Sequence, residues 1–205
     1  MLNKKPKNKI KAVIFDFGGV LSEEGFKNGL LAIGKTKGLD PDKFYITASE
    51  LVYQTGYVTG MSGESDFWDA VRERTGISGS DEELRAEILS MFILRPEMLE
   101  FVQKLKSSGL VVAILSDQTN WLDEINQKTP FLNYFDYVFN SFNLGKGKRD
   151  PSVFRDICSK MGFNPEEVLF IDDNMENIKR ALKEGMKSIH FKSIGDFTRE
   201  IENFI

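Results

Sequence analysis

Acidic residues lie directly after, or one residue beyond, three short apolar runs of the sequence. They are Asp16, Asp117 and the pair Asp172-Asp173. Apolar runs that end in turn residues are typical of buried parallel strands, and open α/β sheets bind ligands beyond the carboxyl ends of such strands. The glycines at positions 18 and 19 allow the backbone to fold tightly around whatever binds there. The pattern predicts a carboxylate-rich ligand site at one edge of a sheet.

Four segments carry these acids and their neighbours in a fixed order. They are Val13–Leu21, Leu115-Ser116-Asp117, Lys148-Arg149-Asp150-Pro151 and Phe170-Ile171-Asp172-Asp173. Together they resemble the motifs of the haloacid dehalogenase-like hydrolase superfamily, most of whose members are phosphatases. The resemblance covers nearly the whole chain from Lys11 onward. It implies a Rossmann-like α/β core with a helical cap over the active site.

The chemistry that the resemblance implies is phosphoryl transfer, which needs an in-line nucleophile, a cation and positioned donors for the phosphate oxygens. Asp16 can be the nucleophile, because a carboxylate can attack phosphorus and form an aspartyl-phosphate. Lys148 would neutralise the phosphate and this intermediate as a point charge. Ser116 resembles the phosphate-binding hydroxyl residue of the superfamily, and we expect Asp117 and Gly19 to bind substrate beside it.

The choice of Lys148 depends on the residues that follow it. In the superfamily this lysine is commonly followed by Pro-Asp-Pro, whereas here Arg149 replaces the first proline and Asp150-Pro151 keep the register. Lys146 competes for the same role two residues earlier. The position of Asp150-Pro151 favours Lys148.

A divalent cation is expected at the same site. Two carboxylates close to the phosphate would repel it unless a metal intervened, and Mg²⁺ is commonly held by one or two carboxylates, substrate phosphate and water. We expect Asp16, Asp172 and the backbone carbonyl of Gly18 as ligands, with Asp173 binding directly or through water. A single aspartate after a strand is usually a turn residue or a helix cap, so the prediction rests on all four motifs meeting at one sheet edge.

Position 18 departs from the commonest superfamily pattern, Asp-x-Asp-Gly-Thr/Val, because Gly18 replaces the second Asp. That Asp protonates the leaving group and then activates water, and such help is typically worth about 10²- to 10⁴-fold in rate. Three explanations stay open. The leaving group needs no protonation, a substitute acts (Glu23, Glu24, a cap side chain or water), or the protein binds a phosphorylated ligand without turnover.

The elements that must position these residues are predicted from apolar patterns. From Arg95 onward helices and strands alternate, which indicates a doubly wound parallel sheet. With the strand before Asp16, the sheet has five strands; the others are predicted at Leu110–Leu115, Tyr137–Phe139, Val168–Ile171 and Ser188–Phe191. Residues 22–94 instead show four helical patterns. We therefore predict an α/β core of residues 1–21 and 95–205, interrupted by an inserted α-helical bundle cap of residues 22–94.

The composition of the chain limits the kinds of partner that we expect the protein to bind. The chain has 205 residues, a net charge of −4 and one cysteine, which gives no basic field for nucleic acid and no intramolecular disulfide. The lysine-rich start has no apolar stretch of the kind a secretory signal needs, and no apolar run is long enough to span a bilayer. We expect a cytoplasmic monomer or weak dimer that uses Mg²⁺ and a small phosphorylated substrate, without a nucleic-acid or membrane partner.

Three functions compete. The first is Mg²⁺-dependent hydrolysis of a small phosphorylated metabolite. A sugar phosphate is one candidate, because the spacing Tyr53…Gly60…Phe67-Trp68 is similar to the cap of the subgroup with sugar-phosphate phosphatases and the N-terminal domain of soluble epoxide hydrolases. The second is a metal-independent 2-haloacid dehalogenase, which would use the same nucleophile but has no use for paired carboxylates. The third is a non-catalytic phospholigand-binding or regulatory module.

Overall fold

A five-stranded parallel sheet forms the centre of the computed structural model, which describes residues 10–205. The strands are β1 (Ala12–Phe15), β2 (Val111–Ser116), β3 (Tyr137–Asn140), β4 (Val168–Asp172) and β5 (Lys187–His190). Their order across the sheet is β3-β2-β1-β4-β5, and every neighbouring pair is parallel. The predicted fold class is confirmed. Residues 1–9 of the predicted core segment lie outside the described residues.

Helices flank the sheet and also form a separate block between β1 and β2. They are α1 (Gly25–Thr36), α2 (Pro41–Gln54), α3 (Glu64–Thr75), α4 (Asp81–Ser90), α5 (Pro96–Ser107), α6 (Trp121–Lys128), α7 (Ser141–Leu144), α8 (Ser152–Met161), α9 (Met175–Lys183) and α10 (Ile194–Ile201). None of the helices in residues 10–205 has the length and apolar character needed to cross a membrane.

The side chains of β1 alternate between two apolar clusters, one on each face of the sheet. Val13 and Phe15 belong to the cluster that includes residues of α5, α6 and α10, whereas Ala12 and Ile14 belong to the cluster of α8 and α9. Because helices cover both faces, every residue of β1 is buried. This double burial explains why the sequence reads as a continuous apolar run.

Helices α1 to α4 form the helical block that the sequence predicts, and their ends follow local chemistry. Asp40 caps α2 by accepting a hydrogen bond from the backbone N–H of Lys43, with Pro41 at the first helical position. Ser80 caps α4 in the same way, through the N–H of Glu83 at 3.2 Å. Helices α1 and α4 approach closely, since a methyl group on Gly29 would lie 2.6 Å from the Cα of Ile88.

The chain enters and leaves the helical block at neighbouring points. Ser22 forms an isolated antiparallel bridge with Leu94, and the backbone N–H of Arg95 donates to the carbonyl of Leu21 at 2.9 Å. The two connections are thus held side by side at the base of the block. The domain boundaries near residues 22 and 94 stay a prediction.

An aromatic interface joins the helical block to the α/β core. It consists of Tyr57, Phe67 and Trp68 of the block and Trp121 of α6. The ring of Trp121 lies 5.8 Å from Tyr57, edge to face, and 6.2 Å from Trp68, stacked. All four side chains are at most 1% exposed, so these aromatic rings pack the block against the core.

Sequence reasoning missed the short elements. Helix α7 has four residues, and single 3-10 turns lie at Tyr57–Thr59, Leu132–Tyr134 and Pro165–Glu167. Elements this short hold too few residues to show a helical period. Helix α7 is supported by a distant contact instead, because the hydroxyl of Ser141 donates to the carbonyl of Val58 at 2.7 Å.

Candidate active site

The carboxyl ends of β1 and β4 bring two of the predicted site residues together. The strands pair with Phe15 beside Ile171, so the next residues, Asp16 and Asp172, are also neighbours. Lys148 reaches both from the loop before α8, with its Nζ 2.7 Å from Oδ2 of Asp16 and 2.8 Å from Oδ2 of Asp172. All three residues are buried. Lys146 pairs instead with Asp156 of α8.

The positive charge of Lys148 does not neutralise all the carboxyl groups of this site. Burial raises the pKa of Asp16 well above its usual range, and the neighbouring Asp172 and Asp173 add to the rise against the attraction of Lys148. Burial acts to lower the pKa of Lys148, but the two carboxylates outweigh it and hold that pKa well above its usual value. Burial and then Asp172 raise the pKa of Asp173. One lysine therefore faces three carboxyl groups that share a small volume.

Three carboxylates can provide oxygen ligands for a cation. Oxygens of Asp16, Asp172 and Asp173 all lie within 4.8 Å of one another, and a hard cation such as Mg²⁺ prefers oxygen ligands. A divalent ion would also supply the positive charge that Lys148 alone cannot. These oxygen ligands thus suit Mg²⁺. The carbonyl of Gly18, which the sequence predicts as a further ligand, lies in the turn that follows Asp16.

The glycine turn after β1 leaves room for one of these carboxylates. Gly19 has φ +81°, a conformation that favours glycine, and a methyl group on it would lie only 2.3 Å from Oδ2 of Asp173. Arg95 braces the turn from the far side by donating from Nη1 to the carbonyls of Gly19 at 2.5 Å and Val20 at 3.1 Å. Sequence reasoning did not identify Arg95, because the residues to which its side chain donates lie 72 positions or more away in the chain.

Amide groups orient the carboxylate of Asp172. The backbone N–H of Asn174 donates to Oδ1 at 2.7 Å, and the side-chain amide of Asn177 donates to Oδ2 at 3.1 Å. Asn177 is buried, although from the sequence alone it could equally lie on the exposed surface of a helix. His190 supports the neighbouring residue, with Nε2 2.9 Å from the carbonyl of Asp173. The two amide contacts fix the carboxylate of Asp172 before any ligand binds.

The end of β2 holds the predicted phosphate-binding residues. Ser116 is buried and lines the cavity described below. The carboxylate of Asp117 accepts hydrogen bonds from the backbone N–H of Lys148 at 2.8 Å and from the hydroxyl of Tyr53 at 3.0 Å. Both carboxylate oxygens of Asp117 are therefore bound to protein donors. Its contact to Lys148 positions the lysine loop beside Asp16.

A polar cavity of about 970 Å³ opens between the helical block and this edge of the sheet. Asp16, Gly18, Ser116, Lys148 and Asp173 line it from the core. Helices α1 and α2 contribute the facing wall, including Lys27, Tyr45 and Tyr53. Its volume suits a small metabolite.

Glu24 occupies the space beside Gly18. A methyl group on Gly18 would lie 3.2 Å from Oε2 of Glu24, whereas Glu23 pairs with Arg95 at 3.1 Å. Burial and then the charge of Asp173 raise the pKa of Glu24. Of the two glutamates that the sequence offers as substitutes, Glu24 is the one whose carboxylate lies where an Asp side chain at position 18 would begin.

Comparison with known proteins identifies relatives over most of the chain. A family model described as haloacid dehalogenase-like hydrolase matches residues 10–184. An (S)-2-haloacid dehalogenase from Burkholderia cepacia is 30% identical over 151 residues, which is 67% of this chain and 64% of that protein. A D-ribitol-5-phosphate phosphatase from Bacteroides thetaiotaomicron is 24% identical over 203 residues, covering 94% and 97%.

Similarity to the rat bifunctional epoxide hydrolase 2 is limited to part of that protein. It is 23% identical over 94% of this chain but only 38% of its own length. Among solved structures, a magnesium complex of a haloacid dehalogenase family enzyme from Bacteroides thetaiotaomicron has a TM-score of 0.75 and 25% identity. That likeness covers 94% of this chain and 98% of the other.

Proposed function

The chain belongs to the haloacid dehalogenase-like hydrolase family, and we propose that it is a Mg²⁺-dependent phosphatase of a small phosphate ester that forms an aspartyl-phosphate on Asp16. One observation carries the proposal. Asp16 lies 2.7 Å from Lys148 in a group of three carboxylates whose oxygens are within 4.8 Å of one another. A dehalogenation that needs no metal has no use for such a group.

The first step is displacement at phosphorus. An oxygen of Asp16 attacks the phosphorus atom, the bond to the leaving-group oxygen breaks, and the electron pair of that bond stays on the leaving oxygen. Lys148 offsets negative charge on the phosphoryl group, and the hydroxyl of Ser116 can donate to an equatorial oxygen. Bound Mg²⁺, held by Asp16, Asp172 and Asp173, would supply further charge neutralisation.

The leaving oxygen needs a proton unless it is stable as an anion, and Glu24 is placed to give it. In the second step water attacks the aspartyl-phosphate, passes a proton to Glu24, and the bond between phosphorus and the Asp16 oxygen breaks. Phosphate leaves, and Asp16 returns as a carboxylate. The same glutamate thus acts first as acid and then as base.

Hydrolysis of p-nitrophenyl phosphate tests the central part of this proposal. Its leaving group is stable as an anion, so the reaction needs little protonation. We expect turnover that requires Mg²⁺ and that Asp16→Asn lowers by at least about 10³-fold. Asp123→Asn, the same change on the exposed face of α6, is the control and should retain turnover. Unchanged activity in Asp16→Asn would contradict the proposal.

Leaving-group dependence tests Glu24. Glu24→Gln should lower kcat/KM for an alkyl phosphate, which reports the steps up to release of the leaving group, by about 10²- to 10⁴-fold and should lower kcat/KM for p-nitrophenyl phosphate much less. Glu23→Gln, the matched change at the neighbouring glutamate, should not separate the two substrates. An equal loss of kcat/KM on both substrates in Glu24→Gln would show that Glu24 does not protonate the leaving group.

A 2-haloacid dehalogenase is the second candidate, and the Burkholderia cepacia relative favours it. It would use Asp16 as nucleophile on carbon and release halide in the presence of EDTA. Halide release from 2-chloropropionate without Mg²⁺, together with no hydrolysis of phosphate esters, would replace the phosphatase proposal. Folded protein that binds Mg²⁺ but turns over neither substrate class would instead indicate a binding module.

A further inference from the structure

Most arginines of the chain pair with a carboxylate. The paired residues are Arg72, Arg85, Arg95, Arg155 and Arg199. Arg74, Arg149 and Arg180 have no ion-pair partner among residues 10–205, and the last two of these line the cavity. Unpaired guanidinium groups are therefore concentrated at the candidate active site.

Arg149 is held in place by contacts that lead back to the reactive loop. Its guanidinium group lies 3.4 Å from the centre of the Tyr53 ring. The hydroxyl of Tyr53 donates to Asp117, which also accepts the backbone N–H of Lys148. Burial and Asp117 raise the pKa of Tyr53, so its hydroxyl remains a donor. Arg149 is thus positioned relative to the lysine that contacts Asp16.

Stacking leaves the binding edge of Arg149 unused. A guanidinium group over a ring contacts it through its flat face, and its N–H groups lie at the edge. Arg149 is exposed to solvent, and its side chain donates no hydrogen bond within residues 10–205. A planar fork of free N–H donors suits a carboxylate or phosphate group.

Other charged residues at the cavity also favour an anionic ligand. Lys27 of α1 lies 5.5 Å from the Tyr45 ring and has no carboxylate partner within the described part of the chain. Two of the cavity carboxylates are already neutralised, since Glu23 pairs with Arg95 and Glu176 pairs with Lys179 at 2.6 Å. The outer part of the cavity thus offers free cations that the reaction at Asp16 does not use.

We propose that Arg149, stacked on Tyr53, binds a second anionic group on the leaving group, so that the substrate is a phosphate monoester with an additional carboxylate or phosphate. This inference rests on the proposed phosphatase function. The phosphoryl group that is transferred binds between Asp16 and Lys148. The second anion binds at the next residue of the same loop, on the side formed by Tyr53.

Three esters with the same short leaving-group chain test the inference. They are 3-hydroxypropyl phosphate, 3-(phosphonooxy)propanoate and propane-1,3-diyl bisphosphate, which end in a hydroxyl, a carboxylate and a phosphate. We expect kcat/KM for at least one of the two charged esters to exceed that of the hydroxyl ester by roughly ten- to a hundredfold. The preferred member of the charged pair identifies the anion.

Substitution of Arg149 tests whether this residue causes the preference for charged esters. Arg149→Met keeps most of the aliphatic stem and removes the charge, so the ratio of charged to hydroxyl ester should fall to about one. Arg74→Met is the matched control, because Arg74 is also unpaired but lies on α3 and does not line the cavity. Its ratio should equal that of the unsubstituted protein.

The outcomes separate this inference from the proposed function. Hydrolysis of p-nitrophenyl phosphate with a ratio near one in the unsubstituted protein would overturn the inference and leave the phosphatase proposal standing. A high ratio that survives Arg149→Met would also overturn it, because another group would then bind the anion. Absence of hydrolysis of every ester, in folded protein with Mg²⁺, would overturn both.

Discussion

The helical block meets the α/β core at two places of opposite character. At the aromatic interface, Tyr57 and Trp68 pack on Trp121 through buried rings, and the carboxylate of Glu64 that accepts from the indole of Trp68 is paired with Arg85. At the cavity, the contacts are Tyr53 to Asp117 and Arg149 over the Tyr53 ring. The first region excludes water, whereas the second encloses a polar space with buried ionisable groups.

The difference separates residues that stabilise the fold from residues that we expect to act on a ligand. Burial of large aromatic side chains stabilises the folded chain. Buried carboxylates do the opposite, because desolvation raises the pKa of Asp16 and so disfavours its charged form. We therefore expect substitutions at the aromatic interface to lower stability, and substitutions at the cavity to lower activity with little loss of stability.

Removal of Trp121 should give the largest change in stability. Trp121→Ala empties a fully buried position where four rings of the helical block meet. We expect the free energy of unfolding to fall by about 3–5 kcal/mol. Urea unfolding followed by circular dichroism measures this change. A loss below about 1 kcal/mol would mean that the interface does not hold the helical block to the core.

Magnesium should give the next largest effect, and at the cavity only. At a concentration of 100 times its Kd, a ligand that binds only the folded state stabilises it by about 2.7 kcal/mol. We expect such a gain for the unsubstituted protein in urea unfolding with MgCl₂ and none for Asp172→Asn. The same gain in Asp172→Asn would place the metal elsewhere.

The buried carboxylate of Asp16 predicts how stability depends on pH in EDTA. Its folded pKa lies above the unfolded value of about 3.9, so the folded state keeps a proton that the unfolded state releases. Stability is then greatest below the unfolded pKa and falls as pH rises toward the folded pKa. The limiting slope for one proton is about 1.4 kcal/mol per pH unit.

Asp16→Asn removes this dependence. Its stability relative to the unsubstituted protein should increase as the pH is raised from about 4, when urea unfolding is measured in EDTA. A difference between the two proteins that does not change with pH would show that Asp16 carries no raised pKa in the absence of metal.

Two tyrosine variants give the smallest and sharpest test of the comparison. The hydroxyl of Tyr57 donates to Asn120 at 2.6 Å within the aromatic interface, so Tyr57→Phe should lower the free energy of unfolding by about 1 kcal/mol. Tyr53→Phe removes the hydrogen bond to Asp117 at the cavity. It should raise KM for a charged ester and leave the free energy of unfolding nearly unchanged. The reverse assignment of the two effects would break the comparison.

The sequence predicts most of the fold because its signals are local. Continuous apolar runs such as that of β1 predict the strands, and caps such as Ser80 mark helix ends. Asp16 and Asp172 are predictable because parallel strands place their carboxyl ends at one edge, and Lys148 is predictable because Asp150-Pro151 keep the register of the superfamily motif. Their geometry agrees with that expectation, and their roles stay a proposal.

The remaining features depend on contacts between distant parts of the chain. Sequence reasoning left Glu23 and Glu24 as equal candidates, and only the packing of α1 against the glycine turn places Glu24 beside Gly18. Arg95 and Tyr53 reach the site across the junction between the helical block and the core. A single sequence contains no local pattern that reports such contacts.

The stereochemical course at phosphorus tests the central claim most directly. Attack by Asp16 and then by water gives two in-line displacements, each of which inverts the phosphorus centre. Hydrolysis of a phosphorothioate ester made chiral with two oxygen isotopes, carried out in water of the third isotope, should therefore give inorganic thiophosphate with net retention of configuration. Net inversion would mean that water attacks the ester directly and would contradict an aspartyl-phosphate on Asp16.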